Sequence, residues 1–144
     1  MRRVVITGMG MVTSLGIGVD RNWDGLLAGK SGIRAIENFD VSDLPAKIAG
    51  QVPEGLTEDG LFFSDDWVSP KDRRRMDDFI VYGLCAAKQA IEDSGWVVET
   101  EEQAWRTGVL IGSGIGGLPE IAGGAIKVNE GKARRLSPFF IPAS

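Results

Sequence analysis

The sequence contains no histidine, and this absence restricts its chemistry more than any other feature. Most general acid–base catalysis near neutral pH uses histidine. The chain must therefore use other groups, take residues from elsewhere, or have no catalytic activity of its own. It has one cysteine, Cys85, which excludes a disulfide within the chain and is typical of a reducing compartment. We therefore expect a cytoplasmic protein.

Long apolar runs and an excess of positive charge are also missing. No apolar stretch approaches the roughly 18 residues that a membrane span requires, so we expect no membrane partner. The net charge of −4 argues against nucleic acid as the main partner. The first residues carry two arginines but only a short β-branched run before Thr7-Gly8, which indicates a strand and not a signal peptide.

Glycine, in contrast, is abundant, with 20 residues and no low-complexity tract to account for them. The stretch TGVLIGSGIGG, residues 107–117, begins with an apolar run that predicts a buried parallel strand over residues 108–111. Its glycines permit close approach of a backbone or a ligand, and sites in α/β sheets form just past the carboxyl ends of strands. An ordinary turn between a strand and a helix is the alternative.

The remaining pattern alternates strands and helices. We predict strands at residues 3–7 and 47–52, and a helix at residues 21–28 with Asp20 as its N-cap and Trp23, Leu26 and Leu27 on its buried face. Ser69-Pro70 predicts the start of one long helix that ends at Ser94-Gly95. We further predict a helix over residues 118–129 and an extended segment over residues 137–144. This order indicates an α/β fold with a parallel sheet.

Gly8-Met9-Gly10, after the first predicted strand, superficially resembles a dinucleotide-binding fingerprint. That motif needs a third glycine or alanine three residues after the second, where this chain has Thr13. A nucleotide site at this position remains open as an alternative.

A basic cluster interrupts the acidic chain; its members are Lys71, Arg73, Arg74 and Arg75. It could be an ordinary solvated helix turn. However, cations at a helix N-terminus oppose the helix dipole, which favours an anionic partner instead. A second basic cluster, Lys127, Lys132, Arg134 and Arg135, could extend the surface.

Five blocks in order resemble the elongating β-ketoacyl-[acyl-carrier-protein] synthases of type II: MRRVVITGMGMVTSLG, LLAGKSGI, SPKDRRRMDDFIVYG, GSGIGG and SPFFIPAS. The resemblance implies the thiolase-like layered αβαβα fold, with residues 1–144 as an incomplete N-terminal part of the synthase domain. It implies an acyltransferase of fatty-acid biosynthesis that extends an acyl group by condensation with malonyl-acyl carrier protein. No cofactor and no metal are implied.

The same resemblance assigns roles to residues. Lys71, Arg74 and Arg75 match positions that bind the acyl carrier protein, whereas Arg73 replaces a polar residue that is common there. Apolar residues of the acyl pocket match Ile115, Phe140 and Ile141, the last two reaching across the interface of a homodimer. The nucleophilic cysteine and two histidines of the family lie beyond Ser144, so we expect the chain alone to be inactive. Cys85, within a predicted helix and without a histidine partner, is interpreted as a core residue.

Two other interpretations stay open. Within the fold, the chain could belong to a polyketide ketosynthase or to a non-catalytic subunit like a chain-length factor. Outside it, the chain could be a stand-alone nucleotide- or partner-binding α/β module. If the remainder of the fold is missing, apolar faces of the sheet and helices should be left uncovered, and the chain alone should be poorly soluble.

Overall fold

The computed structural model describes residues 2–144. The first part contains strands β1 (Val12–Thr13) and β2 (Gly16–Ile17), helix α1 (Val19–Leu27), and strands β3 (Ile33–Ala35) and β4 (Ile48–Gly50). It is followed by helices α2 (Pro70–Arg73), α3 (Asp78–Ser94), α4 (Glu101–Arg106), α5 (Leu118–Asn129) and α6 (Phe140–Ala143). Short 3-10 turns occupy Thr57–Asp59, Ser64–Asp66 and Ala133–Arg135. No helix in this part of the chain is both long and apolar enough to cross a membrane.

The residues form two compact units. One comprises the described residues up to Phe63 together with Cys85–Gly95, and the other comprises Ser64–Leu84 and Trp96–Ser144. In the first unit, β1 and β2 form an antiparallel hairpin with Val12 opposite Ile17. Strands β3 and β4 form a second antiparallel pair in which Arg34 lies opposite Ala49.

A buried asparagine organises the β1–β2 hairpin. Asn22, in α1, is 2% exposed, and its amide nitrogen donates to the carbonyls of Gly16 and Gly18 at 3.3 and 2.7 Å. Its amide oxygen accepts a hydrogen bond from the Thr13 hydroxyl. Because a buried amide is costly unless its groups are paired, this network ties the turn to the helix that follows it.

The second unit is mainly helical, and its first helix, α2, begins where the sequence predicts. The Ser69 hydroxyl accepts a hydrogen bond from the Asp72 N–H at the start of α2, and Pro70 is the first helical residue. Thr100 and Gln103 form a reciprocal capping box at the start of α4. The prediction for residues 118–129 is confirmed as α5.

Two predicted strands are wrong. Residues 3–7 and 108–111 have no ladder partner in residues 2–144, and their apolar side chains are exposed, Leu110 to 98%. A strand requires a second backbone about 4.8 Å away, and no such neighbour lies beside either stretch in this structure. Both pairs of strands that are present are antiparallel, so the predicted parallel sheet is not formed by residues 2–144. The expectation of uncovered apolar surface is met at these two stretches.

The predicted long helix is interrupted between Arg73 and Asp78. The N–H of Arg75 bonds to the Asp72 carbonyl at 2.8 Å, so the first helix closes as a tight turn. Helix α3 then starts at Asp78, directly after Asp77, whose carbonyl accepts from the Ile80 N–H and whose Oδ1 accepts from the Asp78 N–H at 2.6 Å. The apolar stripe of the helix begins only at Met76, so its periodicity gave no information about a break between Arg73 and Asp78.

Three further predictions need correction. Helix α1 begins at Val19 with Gly18 as its N-cap, so Asp20 lies in the first turn and does not cap the helix. Its residues Trp23, Leu26 and Leu27 are exposed, and the buried positions are Asn22 and Gly25. The segment over residues 137–144 contains the short helix α6 and is not simply extended. Pro142 is tolerated there because the first turn of a helix leaves its N–H groups unpaired.

Candidate functional site

The four cations of the basic cluster have three different environments. Arg73 pairs with the Asp78 carboxylate and donates to the Met76 carbonyl at 2.7 Å, so its guanidinium bridges the junction between α2 and α3. Lys71 and Arg74 are exposed and have no ion pair among residues 2–144. Arg75 is also exposed, and its guanidinium lies over the Phe139 ring. The cluster therefore presents Lys71, Arg74 and Arg75 to solvent and uses Arg73 internally.

The four cations do not oppose a helix dipole together, contrary to the expectation from the sequence. That expectation placed all of them at the start of one long helix. Helix α2 is a single turn, and Arg74 and Arg75 lie at or beyond its carboxyl end, where cations are tolerated. Dipole repulsion therefore gives no support for an anionic partner. The structure shows only that Lys71, Arg74 and Arg75 are exposed and have no ion pair among residues 2–144.

The glycine-rich loop and the end of the described chain meet in the second unit. The Gly117 N–H bonds to the Ser144 carbonyl at 3.4 Å. A Cβ built on Gly117 would lie 2.6 Å from Asp77 Oδ2 and 2.9 Å from the Ala143 carbonyl oxygen. Glycine is therefore needed at 117 for close approach of two backbones, as the sequence predicted for this loop.

The predicted acyl-pocket residues lie in this region but differ in burial. Phe140 packs on helix α5, where a Cβ on Gly124 would lie 2.5 Å from the edge of its ring. Ile115 is 73% exposed and Ile141 is 78% exposed. The Phe140 side chain is therefore packed within residues 2–144, whereas the side chains of Ile115 and Ile141 are exposed and can contact a further surface.

An apolar cavity of about 300 Å³ lies beside α3 in the second unit. Its lining includes Phe79, Ile80, Gly83 and Leu84 from the helix, and Ile111 and Gly112 from the apolar stretch. The sequence carries part of this signal, because the four helical residues recur at helical spacing and so share one face of the helix. The cavity is exposed apolar surface of the kind that another segment or an apolar ligand covers.

In the first unit, other residues of the protein fill the space around the Gly8-Met9-Gly10 motif. A Cβ on Gly8 would collide with the backbone at Ala90, and one on Gly10 with the backbone at Ala86. The Met9 N–H donates to the Asp93 carboxylate at 2.9 Å. A phosphate site needs free backbone N–H groups and open space, so this geometry argues against the nucleotide interpretation.

Cys85 is a core residue, as interpreted from the sequence. It is 0% exposed, and its sulfur accepts a hydrogen bond from the Gln89 amide at 3.2 Å. Burial raises the pKa of the Cys85 thiol, against smaller opposing effects of that hydrogen bond and of the Lys88 charge. A reactive cysteine needs the opposite shift. Residues 2–144 also hold no cluster of three or more potential metal ligands.

Comparison with known proteins identifies the family. The family model described as the β-ketoacyl synthase N-terminal domain matches residues 1–144. The chain belongs to the β-ketoacyl synthase family. The resemblance found in the five sequence blocks is thereby confirmed.

Individual relatives support the same assignment. The chain is 51% identical over 142 residues to 3-oxoacyl-[acyl-carrier-protein] synthase 2 of Rhizobium meliloti (strain 1021), covering 99% of this chain and 34% of that protein. It is 48% identical over 143 residues to the synthase of the same name from Vibrio cholerae, covering 99% of this chain and 33% of that protein. The chain thus spans about a third of the length of these relatives.

A solved structure supports the fold class. The ishigamide ketosynthase/chain length factor is similar with a TM-score of 0.73 and 29% sequence identity, covering 99% of this chain and 34% of that chain. The predicted thiolase-like α/β class is therefore confirmed. The two predicted strands that residues 2–144 do not form change details of the fold and not its class.

Proposed function

We propose that the protein to which this chain belongs elongates fatty acids by decarboxylative condensation. An acyl group held by the enzyme is extended by two carbons from malonyl-acyl carrier protein, giving β-ketoacyl-acyl carrier protein and carbon dioxide. Residues 1–144 are the N-terminal part of the synthase domain in this proposal. They contribute a docking surface and part of the acyl pocket. They do not contribute the nucleophile, since Cys85 is buried and its pKa is raised.

One observation carries this proposal. A cationic surface contacts the segment that contains the expected pocket residues. Arg75 contacts Phe139, which directly precedes Phe140 and Ile141. An acyl carrier protein must dock by its acidic surface and deliver an apolar chain. Cations beside an apolar segment supply both functions, so Lys71, Arg74 and Arg75 are proposed to bind the carrier protein. Ile115, Phe140 and Ile141 are proposed to line the acyl pocket, where binding comes from burial of apolar area.

The second basic cluster is a weaker candidate for the same surface. Lys132 is paired with Glu130 at 2.7 Å, whereas Arg134 and Arg135 are exposed in a 3-10 turn shortly before the Phe139 segment. A homodimer in the cytoplasm belongs to this proposal. The exposed Ile141 is available for such a contact.

The experiment uses the full-length protein. Purified protein is incubated with acyl and malonyl-acyl carrier proteins, and β-ketoacyl product is followed by mass spectrometry. Reversal of Lys71, Arg74 and Arg75 to Glu should weaken carrier-protein binding strongly and make the residual affinity less dependent on salt. Single Arg74→Glu is compared with single Arg34→Glu, which makes the same charge change on the exposed strand β3. If binding is unchanged in the triple variant, the assignment of the docking residues is wrong.

A chain-length-factor-like subunit is the second candidate. It is favoured by the solved structure titled as a ketosynthase/chain length factor, although that chain is less similar than the two synthases above. The two functions differ in catalysis. Carrier-protein binding without any β-ketoacyl product, and with no cysteine at the nucleophile position of the full-length chain, selects this second function.

A further inference from the structure

The contact between Arg75 and Phe139 distinguishes Arg75 from the other exposed cations of the basic cluster. The guanidinium carbon of Arg75 lies 4.3 Å from the centre of the Phe139 ring. That separation is well within the roughly 6 Å over which a cation is attracted to an aromatic face. Arg74 and Lys71, one and four positions before Arg75, have no ring contact in residues 2–144.

Phe139 is itself firmly positioned. Its N–H donates to the Ser137 hydroxyl at 3.1 Å, and its carbonyl accepts from the Ala143 N–H at 2.9 Å. The next residue, Phe140, packs on Gly124. The ring that receives the Arg75 guanidinium therefore belongs to a segment whose backbone is held at both ends of α6.

The ring contact leaves the N–H donors of the guanidinium available. The Arg75 side chain has no hydrogen bond and no ion pair among residues 2–144. Planar guanidinium donors match a carboxylate, and an arginine held in place loses less side-chain freedom when it binds one. A flexible exposed arginine lacks this advantage.

Building on the carrier-protein docking proposed above, we propose that Phe139 is a positioning residue that holds the Arg75 guanidinium ready for a carboxylate of the acidic partner. Phe139 acts through Arg75 and need not touch the partner. The Phe139 ring thus increases the affinity of one particular cation in the surface, while Lys71 and Arg74 contribute charge alone.

A double-mutant cycle in the full-length protein tests this assignment. The dissociation constant for acyl carrier protein is measured for wild type, Phe139→Leu, Arg75→Gln and the double variant. Phe139→Leu should weaken binding by about two- to fivefold, the range expected for loss of an exposed cation–π contact. In the Arg75→Gln background the same change should have no further effect, because the guanidinium that it positions is gone.

A matched control cycle uses Arg74→Gln in place of Arg75→Gln. Phe139→Leu should weaken binding equally in the wild-type and Arg74→Gln backgrounds, since Arg74 does not contact the ring. Phe139→Trp, which retains an aromatic face, should restore the wild-type affinity. In steady-state assays the effect should be on KM for malonyl-acyl carrier protein and not on kcat.

The outcomes separate this assignment from the proposed function. If Phe139→Leu has the same effect with and without Arg75, or if Trp fails to restore affinity, Phe139 is only a structural residue and the assignment is overturned. If the wild-type protein shows no salt-dependent binding of acyl carrier protein, the proposed function fails first and the assignment fails with it.

Discussion

The Asn22 amide nitrogen lies 2.7 Å from the Gly18 carbonyl oxygen, one helical turn before it in the chain. The same nitrogen is 3.3 Å from the Gly16 carbonyl oxygen, so one buried side chain holds β2 to the start of α1. Asn22→Leu removes the side-chain hydrogen bonds to these two carbonyls and to the Thr13 hydroxyl. We expect a loss of about 2–3 kcal/mol in the free energy of unfolding, measured by urea titration.

Asn38 provides the control for that measurement, because it is exposed in a bend of the same unit. Asn38→Leu should change the free energy of unfolding by less than about 0.5 kcal/mol. Equal effects of the two substitutions contradict the role assigned to the Asn22 network.

Gly117 and Gly114 lie in the same loop but differ in the space around them. A Cβ on Gly117 meets Asp77 and Ala143, whereas a Cβ on Gly114 has nothing within 4 Å. Gly117→Ala should therefore destabilise the second unit by about 1–3 kcal/mol through overpacking, and Gly114→Ala should be nearly neutral. Protection of the Ser144 and Ala143 amides from hydrogen exchange gives a local measure of the same effect. Loss of protection in both variants, or in neither, disagrees with the observed packing.

Substitutions of Arg73 and Arg74 should have different effects, the first on stability and the second on binding of the acyl carrier protein. Arg73→Ala removes the pair with Asp78 and the bond to the Met76 carbonyl, so we expect it to cost about 1 kcal/mol of stability. Its effect on the affinity for acyl carrier protein should be small. Arg74→Ala should do the reverse, since Arg74 is exposed and unpaired among residues 2–144. Denaturation and binding titrations on the two variants check this; a larger affinity loss in Arg73→Ala refutes it.

Burial of Cys85 predicts a pH-dependent contribution to stability. The pKa of the thiol is raised in the folded protein, mainly by burial. Above the unfolded value of about 8.5, the unfolded chain loses this proton while the folded chain retains it. The contribution is therefore fully present below about pH 8.5 and is lost as pH rises through the folded pKa, by at most about 1.4 kcal/mol per pH unit.

Cys85→Ala isolates that contribution. The difference in unfolding free energy between wild type and Cys85→Ala should shrink between about pH 7.5 and pH 9.5, as measured by urea titration. Thiol reagents should label Cys85 in the native protein only as fast as the protein opens. Rapid labelling of the native state shows that the sulfur is accessible, against the observed burial.

The Ser69-Pro70 signal was accurate, because a helix cap is formed by residues within one turn of each other. The Asp20 cap was wrong, because α1 begins at Val19. Motif blocks gave the family, which the match over residues 1–144 confirms.

The sequence did not show which strands would pair or which residues would contact each other. The apolar residues 108–111 have the composition of a strand, but a strand exists only where a second backbone supplies the ladder, and residues 2–144 supply none there. The Arg73–Asp78 pair spans the break before Asp78, and apolar periodicity carries no information about such a pair.

The sequence by itself determined the fold family, the helix start at Ser69-Pro70, the core role of Cys85 and the composition of the basic cluster. Those properties depend on residue identity and on neighbours a few positions away. Only the tertiary structure decided that Arg73 is used internally, that Arg75 stacks on Phe139, and that Gly8 and Gly10 pack against α3. These contacts join residues far apart in the chain, and their partners are selected by packing in three dimensions.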